Sequence, residues 1–171
     1  MGFHEFDWRG MKDNPFTLIS KDWMLITAGG PDAWNTMTAS WGGLGHLWNF
    51  DVAFIFVRPT RHTRGFIERS TGFSLSFFGE EHRRALNVCG SVSGRTTDKA
   101  KAAGITPRSF EAAGGPFVSF EEARLVLVCR KIHAQDLDPA GFIDPTIESH
   151  YLERDWHRLY VGAIEAAWIH D

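Results

Sequence analysis

A cluster of cations lies in the segment RPTRHTRGF, residues 58–66, of a chain whose formal net charge is -3. Arg58 and Arg61 carry guanidinium groups, whose fork geometry suits phosphate oxygens. Thr60 and Thr63 add hydroxyl groups, and the segment joins a strand-like apolar run to a short helix. Because the first amides of a helix lack intrahelical partners and carry partial positive charge, a helix start binds phosphate. We therefore predict an anion site here.

The alternative for this segment is a solvated basic turn whose arginines pair with carboxylates elsewhere. We favour the anion site because cations in the first turn oppose the helix dipole, and broken local rules tend to lie at functional sites. His62 and Arg64 are weaker candidates, since either side chain can simply face water.

A second segment, WNTMTASWGGLG at residues 34–45, alternates polar and apolar side chains before a run of glycines. A strand with small polar side chains lets a ligand lie close to its backbone. Free amide and carbonyl groups could then bind the edge of a flat ring, and Met37 and Trp41 would suit its face. The alternative is an edge strand whose threonines reflect strand propensity alone.

A third segment, CGSVSGRTTDK at residues 89–99, places a Gly/Ser loop before a capped helix, with Arg95 and Lys99 near the helix start. Such loops can cradle anions. The alternative is an ordinary loop between two helices.

The composition bounds the class of protein. The 171 residues suffice for one domain, and 43% hydrophobic and 23% charged residues are typical of globular proteins. The 14 Phe and 7 Trp can fill a core and line a pocket for a flat ligand. The charge gives no footprint for nucleic acid, and no apolar run is long enough to span a bilayer.

Other chemistry finds no support in the sequence. There is no metal-ligand pattern, no dinucleotide-binding glycine motif and no P-loop. The first fifteen residues lack an apolar signal core. Cys89 and Cys129 read as a buried helix residue and a core strand residue, which suits a cytosolic protein with reduced thiols.

The elements that position these segments are mostly strands, and irregular strand spacing with inserted helices predicts a mainly β fold, a closed antiparallel barrel. We expect six strands, at 22–29, 35–41, 51–57, 72–78, 123–132 and 158–169, with a loop at 42–45 and a bend or bulge at Gly162. We expect helices at 61–70 with Thr60 as N-cap, at 80–88 ended by Gly90, and from 98 to Gly104 with Thr97 as cap.

Taken in order, the segments NTMTASWGGLG, VRPTRHTRGFIE, FSLSFF, ALNVCGSVSGRTTDK and FEEARLVLVCRKIHAQDLDP resemble the flavin reductase-like proteins of the FMN-binding split-barrel group. The resemblance runs from about residue 22 to the C-terminus. It implies a six-stranded Greek-key split barrel with helical insertions, a single domain over residues 1–171, a homodimer, and one FMN per subunit near the dimer interface. The sequence Thr-Met-Thr-Ala-Ser-Trp at residues 36–41 is more similar to the flavoredoxin-like branch, in which FMN stays bound.

The resemblance also implies roles for residues of this chain. The flavin ring would contact Asn35, Thr36, Met37, Thr38, Ala39, Ser40 and Trp41, largely through backbone groups. The ribityl phosphate would be held by Arg58, Thr60, Arg61 and Thr63. The next loop and helix would approach the phosphate or the ring through Ser93, Gly94, Arg95 and Lys99.

The function so implied is an FMN-dependent oxidoreductase that passes electrons from NAD(P)H to flavin or another small acceptor. Hydride transfer needs no acid or base from the protein, so no catalytic residue is predicted. One alternative is an FMN-binding electron carrier that a partner protein reduces. Another is a split-barrel module for a different ligand.

Overall fold

The computed structural model describes residues 2–170 and is mainly β, with short helices between strands, as the sequence predicts. The strands are β1 (Phe3–Glu5), β2 (Met24–Gly30), β3 (Ala33–Ala39), β4 (Gly42–Leu47), β5 (Phe50–Val57), β6 (Gly72–Phe77), β7 (Pro107–Ala112), β8 (Gly115–Phe120), β9 (Leu125–Asp136) and β10 (Arg158–His170). The helices are α1 (Pro15–Thr17), continued by a π-helical turn (Leu18–Asp22), α2 (His62–Arg69), α3 (Arg83–Ser91) and α4 (Lys99–Ala103). Short 3-10 helices cover Trp8–Gly10, Glu80–His82, Pro139–Gly141 and Pro145–His150.

Eight strands form one antiparallel sheet in the order β3-β2-β6-β9-β10-β5-β4, with β1 paired to β10. Several neighbours in this order are distant in the chain, as in Greek-key barrels. All six strands expected from the sequence lie in this sheet, and β1 and β4 are two further ones. Strands β7 and β8, also not expected, form a separate hairpin.

The loop expected at residues 42–45 is wrong, because this segment is strand β4 and pairs with β5. The two strands are joined by Trp48 and Asn49, whose φ angles are 52° and 61°. Two consecutive left-handed residues form the hairpin turn that matches strand twist. Trp48 gives no turn signal in a sequence, which is why the hairpin was not predicted.

Strands β3 and β4 are the two ends of the sheet. Within residues 2–170 no ladder joins them, so the closure expected from the strand pattern is wrong and the barrel is open between β3 and β4. Strand β3 therefore has one edge whose backbone groups no other strand uses.

The core occupies both faces of the central strands. The alternation in β6 is confirmed, since Phe73, Leu75 and Phe77 enter the barrel interior. Ser74 and Ser76 face the other way and are also buried, because the β7–β8 hairpin covers them. Ser74 donates to the carbonyl of Val118 at 2.5 Å, and the Ser76 and Ser119 hydroxyls lie 2.7 Å apart. Cys89 and Cys129 are buried and unlinked, in a helix and a core strand as expected.

Several predicted boundaries need correction. Thr60 is not the cap of α2: the Arg61 amide closes a turn onto the carbonyl of Arg58, so Arg61 is the N-cap. Gly90 does not end α3, which runs to Ser91, and the segment from Glu80 begins as a 3-10 turn. Asp98 rather than Thr97 caps α4, since its carboxylate accepts from the Lys101 amide; carboxylates cap at least as well as threonine.

Other local predictions are confirmed or shifted slightly. Gly104 ends α4 with a φ of 71°, and the ladder register shifts at Gly162. Strand β2 starts at Met24 rather than 22 because Trp23 has a φ of 66°. Strand β3 ends at Ala39, so Trp41 lies beyond it. In residues 2–170, no helix combines the length and apolar character that crossing a membrane would require.

Candidate functional site

Two adjoining depressions lie beside the free edge of β3. The larger one, here called the main cleft, has a volume of about 350 Å³, and the smaller, the inner pocket, about 110 Å³. The main cleft is lined by Met37, Thr38, Ala39, Ser40, Trp41, Phe56, Arg58, Thr60, Arg61 and His157. The inner pocket is lined by Met37, Thr60, Arg61, His62, Thr63, Ser91, Val92, Ser93, Gly94 and Lys99.

The three segments singled out in the sequence converge here. Strand β3 and the two residues after it form one wall of the main cleft, and the turn at residues 58–61 separates the cleft from the inner pocket. The loop at residues 91–94 and the start of α4 close the inner pocket. Segments far apart in the chain thus face one volume.

A buried hydrogen bond ties β3 to the start of α2. Asn35 Nδ2 donates to Thr63 Oγ1 at 2.8 Å, and both residues are buried. Gly94 packs directly onto this pair, because a Cβ atom placed on it would lie 1.9 Å from Asn35 Oδ1. Only glycine lets the loop approach so closely. This contact fixes the position of the loop at residues 91–94, which closes the inner pocket.

Lys99 reaches the inner pocket from α4. Its side chain is 6% exposed, and its ammonium donates to the carbonyl oxygens of Thr36 and Cys89, both at 2.8 Å. An ammonium has three protons, so one remains for the pocket. Burial lowers the pKa of Lys99 to about 8, with a further contribution from the positive charge of Arg61.

Arg61 lines both depressions. Its guanidinium donates to the carbonyl oxygens of Gly90 at 3.0 Å and Thr38 at 3.3 Å, which joins β3 to the end of α3. Burial, and secondarily the charge of Arg58, lower the pKa of Arg61. The buried Lys99 and the partly buried Arg61 line one small pocket and repel each other, and an anion between them would relieve that repulsion.

Arg58 lines the main cleft, but most of its hydrogen bonds go to the connection between β9 and β10. This connection, residues 137–157, is here called the strap. Arg58 Nη1 donates to Asp155 Oδ1 at 2.6 Å, Nη2 donates to the carbonyl of His150 at 2.8 Å, and the guanidinium lies 4.9 Å from the Tyr151 ring centre. Arg58 therefore clasps the strap against the barrel.

Three of the residues predicted for the site do not line the main cleft or the inner pocket. Asn35 and Thr36 are buried beneath them, and the Thr36 hydroxyl lies 2.8 Å from that of Thr27. Arg95 lies outside, where it donates to the Thr60 carbonyl at 3.4 Å and borders a groove with other cations of α2.

The sequence prediction missed the opposite wall of the main cleft, which Phe56 and His157 form. His157 is buried, its Nδ1 lies 2.7 Å from the Tyr151 hydroxyl, and its ring centre lies 5.3 Å from that of Trp41. Burial, and next the charge of Arg58, lower the pKa of His157 to about 4. A strap histidine on its own carries no sequence signal for this role.

These residues fit a flat, phosphorylated ligand. The inner pocket offers the remaining proton of Lys99, the Arg61 guanidinium, and the hydroxyl groups of Thr60 and Ser93, all suited to phosphate oxygens. The main cleft offers a free strand edge and the apolar surfaces of Trp41 and Phe56, which suit a ring with polar edges.

Comparison with known protein families identifies one family that matches most of this chain. Residues 17–171 match the model of the flavin reductase like domain. Comparison with curated protein sequences finds no significant match.

Solved structures share the fold. Flavoredoxin from Methanosarcina acetivorans is 21% identical, with a TM-score of 0.66 over 88% of this chain and 69% of that chain. An FMN-binding domain of a flavin reductase-like enzyme from Shewanella baltica is 20% identical, with a TM-score of 0.65 over 98% and 77%. The NADH:FAD oxidoreductase of Streptomyces globisporus is 15% identical, with a TM-score of 0.62 over 85% and 74%. At these identities the likeness is one of fold, the split barrel that the sequence resemblance implied.

Proposed function

Because this chain belongs to the flavin reductase-like domain family, we propose that it is an FMN-dependent oxidoreductase. It binds FMN with the phosphate in the inner pocket and the ring in the main cleft. The observation that carries this proposal is the buried Lys99 ammonium, which faces the inner pocket beside Arg61, next to the free edge of β3.

We propose a separate role for each group of residues that lines the site. Arg61, Lys99, Thr60 and the loop at 93–94 hold the phosphate by charge and hydrogen bonds. The backbone from 37 to 41 holds the ring edge, and Trp41 shields its face from water. Thr63 supports the site through Asn35 rather than by free hydroxyl contact. Bound FMN supplies the redox chemistry, while the protein orients it and sets its surroundings.

The proposed reaction takes electrons from NAD(P)H and passes them to flavin or another small acceptor. Support comes from the main cleft, which extends from β3 to Phe56 and His157. A ligand in this cleft can therefore contact residues on both of its sides. The likeness to a protein described as an NADH:FAD oxidoreductase is in keeping with this.

The second candidate is an FMN-binding electron carrier without NAD(P)H turnover of its own. The likeness to flavoredoxins favours it, together with the sequence Thr-Met-Thr-Ala-Ser-Trp at residues 36–41. A redox partner protein would then supply the electrons.

We also propose a homodimer built from one domain per chain. The β4–β5 hairpin supports this, because Trp48 and Phe50 are 56% and 44% exposed. Large apolar side chains grouped on a surface usually mark an interaction site.

The deciding experiment is the visible absorption spectrum of the purified protein with added FMN, followed by gel filtration. A flavin spectrum that travels with the protein supports the proposal, and FMN that stays in the free fraction at high concentration contradicts it. Oxidation of NADH or NADPH by the flavin-loaded protein then identifies a reductase. Bound FMN with negligible oxidation of either nucleotide identifies a carrier.

A further inference from the structure

A third depression, here called the basic groove, adjoins the inner pocket. It has a volume of about 380 Å³ and is lined by Pro59, Arg61, His62, Arg64, Gly65, Glu68, Arg69 and Arg95. Arg61 and His62 line both depressions, so the two are neighbours. The proposed function gives this groove no role.

The guanidinium group of Arg69 lies over the backbone of α2 at Gly65. A Cβ atom placed on Gly65 would lie 3.3 Å from Arg69 Nη1, and Arg69 Cζ lies 5.1 Å from the ring centre of Phe66. Residues four positions apart are neighbours on a helix surface. Because Gly65 has no side chain, Arg69 can fold back along the helix toward the groove.

Arg95 reaches the same groove from the loop before α4. Its Nη1 donates to the carbonyl of Thr60 at 3.4 Å. Burial, and then the positive charges of Arg95, Lys99 and Arg69, lower the pKa of His62. Guanidinium groups from two separate segments therefore act on one histidine of the groove wall.

Other charges of the groove are already balanced. Arg64 lies 3.8 Å from Glu68 and 3.8 Å from Asp136, and Arg158 lies 3.1 Å from Glu68 and 3.0 Å from Asp136. These two arginines and two carboxylates form a neutral set.

Arg69 and Arg95 are not balanced in this way. Both are exposed, and within residues 2–170 neither forms an ion pair with a carboxylate. The formal net charge of the chain is -3, so the groove is a local region of opposite sign. A concave surface lined by one sign of charge raises the association rate of ligands of the other sign.

The inner pocket should hold an anion more tightly than the groove does. Lys99 is 6% exposed there, whereas Arg69 and Arg95 face water, and charges interact more weakly near water than when buried. An anion that first meets the exposed arginines can therefore gain free energy when it moves past Arg61 to Lys99.

We infer that the basic groove is an outer anion site, in which Arg69 and Arg95 capture the phosphate group of an incoming flavin nucleotide before it enters the inner pocket. The ligand class is a phosphate monoester dianion. The inference deepens the proposed function and rests on it for the identity of the ligand.

The test measures the association rate constant kon and the dissociation rate constant koff of FMN by stopped-flow fluorescence. One double variant combines Arg69→Gln with Arg95→Gln. The control combines Arg84→Gln with Lys12→Gln, which removes the same charge at two exposed positions that do not line the groove. Riboflavin is the matched ligand, because it has the same ring and no phosphate.

At low ionic strength, we expect the Arg69 and Arg95 double variant to bind FMN about tenfold more slowly, the lower end of the range for electrostatic steering. Its koff should equal that of the wild type, and kon for riboflavin should be unchanged. The difference in kon should disappear in about 1 M salt, where the screening length is about 3 Å.

Three results would overturn the inference. An equal fall of kon in the control variant would make net charge the cause. An equal fall for riboflavin would exclude recognition of the phosphate. An effect on koff alone would place Arg69 and Arg95 against the bound ligand, so that they would not act in its capture.

Failure of the proposed function has a different signature. Equilibrium dialysis of the wild-type protein measures FMN binding without reference to its rate. Bound FMN with an unchanged kon in the Arg69 and Arg95 variant removes the capture role alone, whereas absent FMN binding removes the flavin proposal.

Inorganic phosphate tests the groove in that second case. It is added to protein labelled with 15N-arginine, and the Nε signals of Arg69 and Arg95 are assigned by NMR with the two single variants. Shifts of both signals retain the groove as an anion site, and signals that phosphate does not move overturn it.

Discussion

The ammonium of Lys99 donates a 2.8 Å hydrogen bond to the backbone carbonyl of Thr36, in the middle of strand β3. A second bond of the same length reaches the carbonyl of Cys89 in α3. One side chain of α4 therefore joins the edge strand to a helix, and it does so beneath the inner pocket. This residue therefore contributes both to stability and to the proposed phosphate site.

Lys99→Met is expected to destabilise the protein by about 1–3 kcal/mol, because it leaves buried carbonyl groups without their donor. The free energy of unfolding in urea measures this loss. Lys101→Met is the matched control, since Lys101 lies on the same helix and is exposed. Equal stability of the two variants would contradict the structural role of Lys99.

The affinity for FMN should fall as the pH rises above about 8. Lys99 is charged below its pKa of about 8 and loses its charge above it. The phosphate remains a dianion over this range, since its second pKa is about 6. The decrease is at most about tenfold per pH unit, because one proton is involved. Fluorescence titration with FMN at pH 7 and 9 checks it, and Lys99→Met should flatten the dependence.

The same pKa shift affects the stability of the FMN-free protein in the opposite sense. The pKa of Lys99 falls from 10.5 to about 8 on folding, so the unfolded state binds more protons between these values. The contribution of Lys99 to stability therefore rises with pH across that window. Urea unfolding of wild-type protein and Lys99→Met at pH 7.5 and 9.5 measures it: their difference in stability should widen, and a narrowing would contradict it.

Arg61→Ala is expected to weaken FMN binding by roughly 1.5–3 kcal/mol, the range for a hydrogen bond to a charged group. The loss follows from its position between the main cleft and the inner pocket. Fluorescence titration with FMN gives the affinity. Arg64→Ala is the control, because Arg64 lies on the same helix but faces Glu68 and Asp136. Equal affinities for the two variants would place the phosphate elsewhere.

Arg58→Ala separates direct phosphate contact from support of the strap. The sequence predicts the same loss of FMN affinity as for Arg61, whereas the structure commits Arg58 to Asp155. If Arg58 acts by holding the strap through its ion pair with Asp155, Arg58→Ala and Asp155→Ala will have non-additive effects on FMN affinity. Additive effects in the double variant would instead indicate that Arg58 contacts the ligand directly.

Gly94→Ala should displace Asn35 and disturb the inner pocket. The added methyl group would lie 1.9 Å from Asn35 Oδ1, so the loop or the amide must move. Overpacking of this kind costs about 1–3 kcal/mol. Thermal unfolding and FMN titration are the measurements. Gly30→Ala, where a Cβ meets nothing within 4 Å, is the control and should behave like the wild type.

Much of the fold and one side of the site could be predicted because their signals are local. Alternation placed β3 and β6 and chose the inward face of β6 correctly. The turn at 58–61 combined charge with hydroxyl groups within four positions, so its residues could be grouped without knowledge of the fold. The proposed phosphate contacts are of this kind, and they remain a prediction.

The other side of the site depends on contacts that sequence patterns do not encode. Arg58 and its partner Asp155 are 97 positions apart, so the clasp is invisible in either segment. Likewise, the role of His157 depends on Tyr151, Trp41 and Phe56, which come together only in the folded chain. The sequence groups these cations in one segment, but the protein groups that each of them contacts depend on the fold.

The strap has a consequence for how ligand choice can diversify in this fold. It connects β9 and β10 and contributes no residue to their register, which begins at the pair Arg158 and Asp136. The inner pocket, by contrast, is built from the strand edge, α4 and the packed glycine loop. The proposed phosphate site therefore belongs to the barrel and its helices, whereas the strap adds His157 to the wall of the main cleft. Exchange of residues 137–157 is therefore expected to alter binding in the main cleft more than binding in the inner pocket.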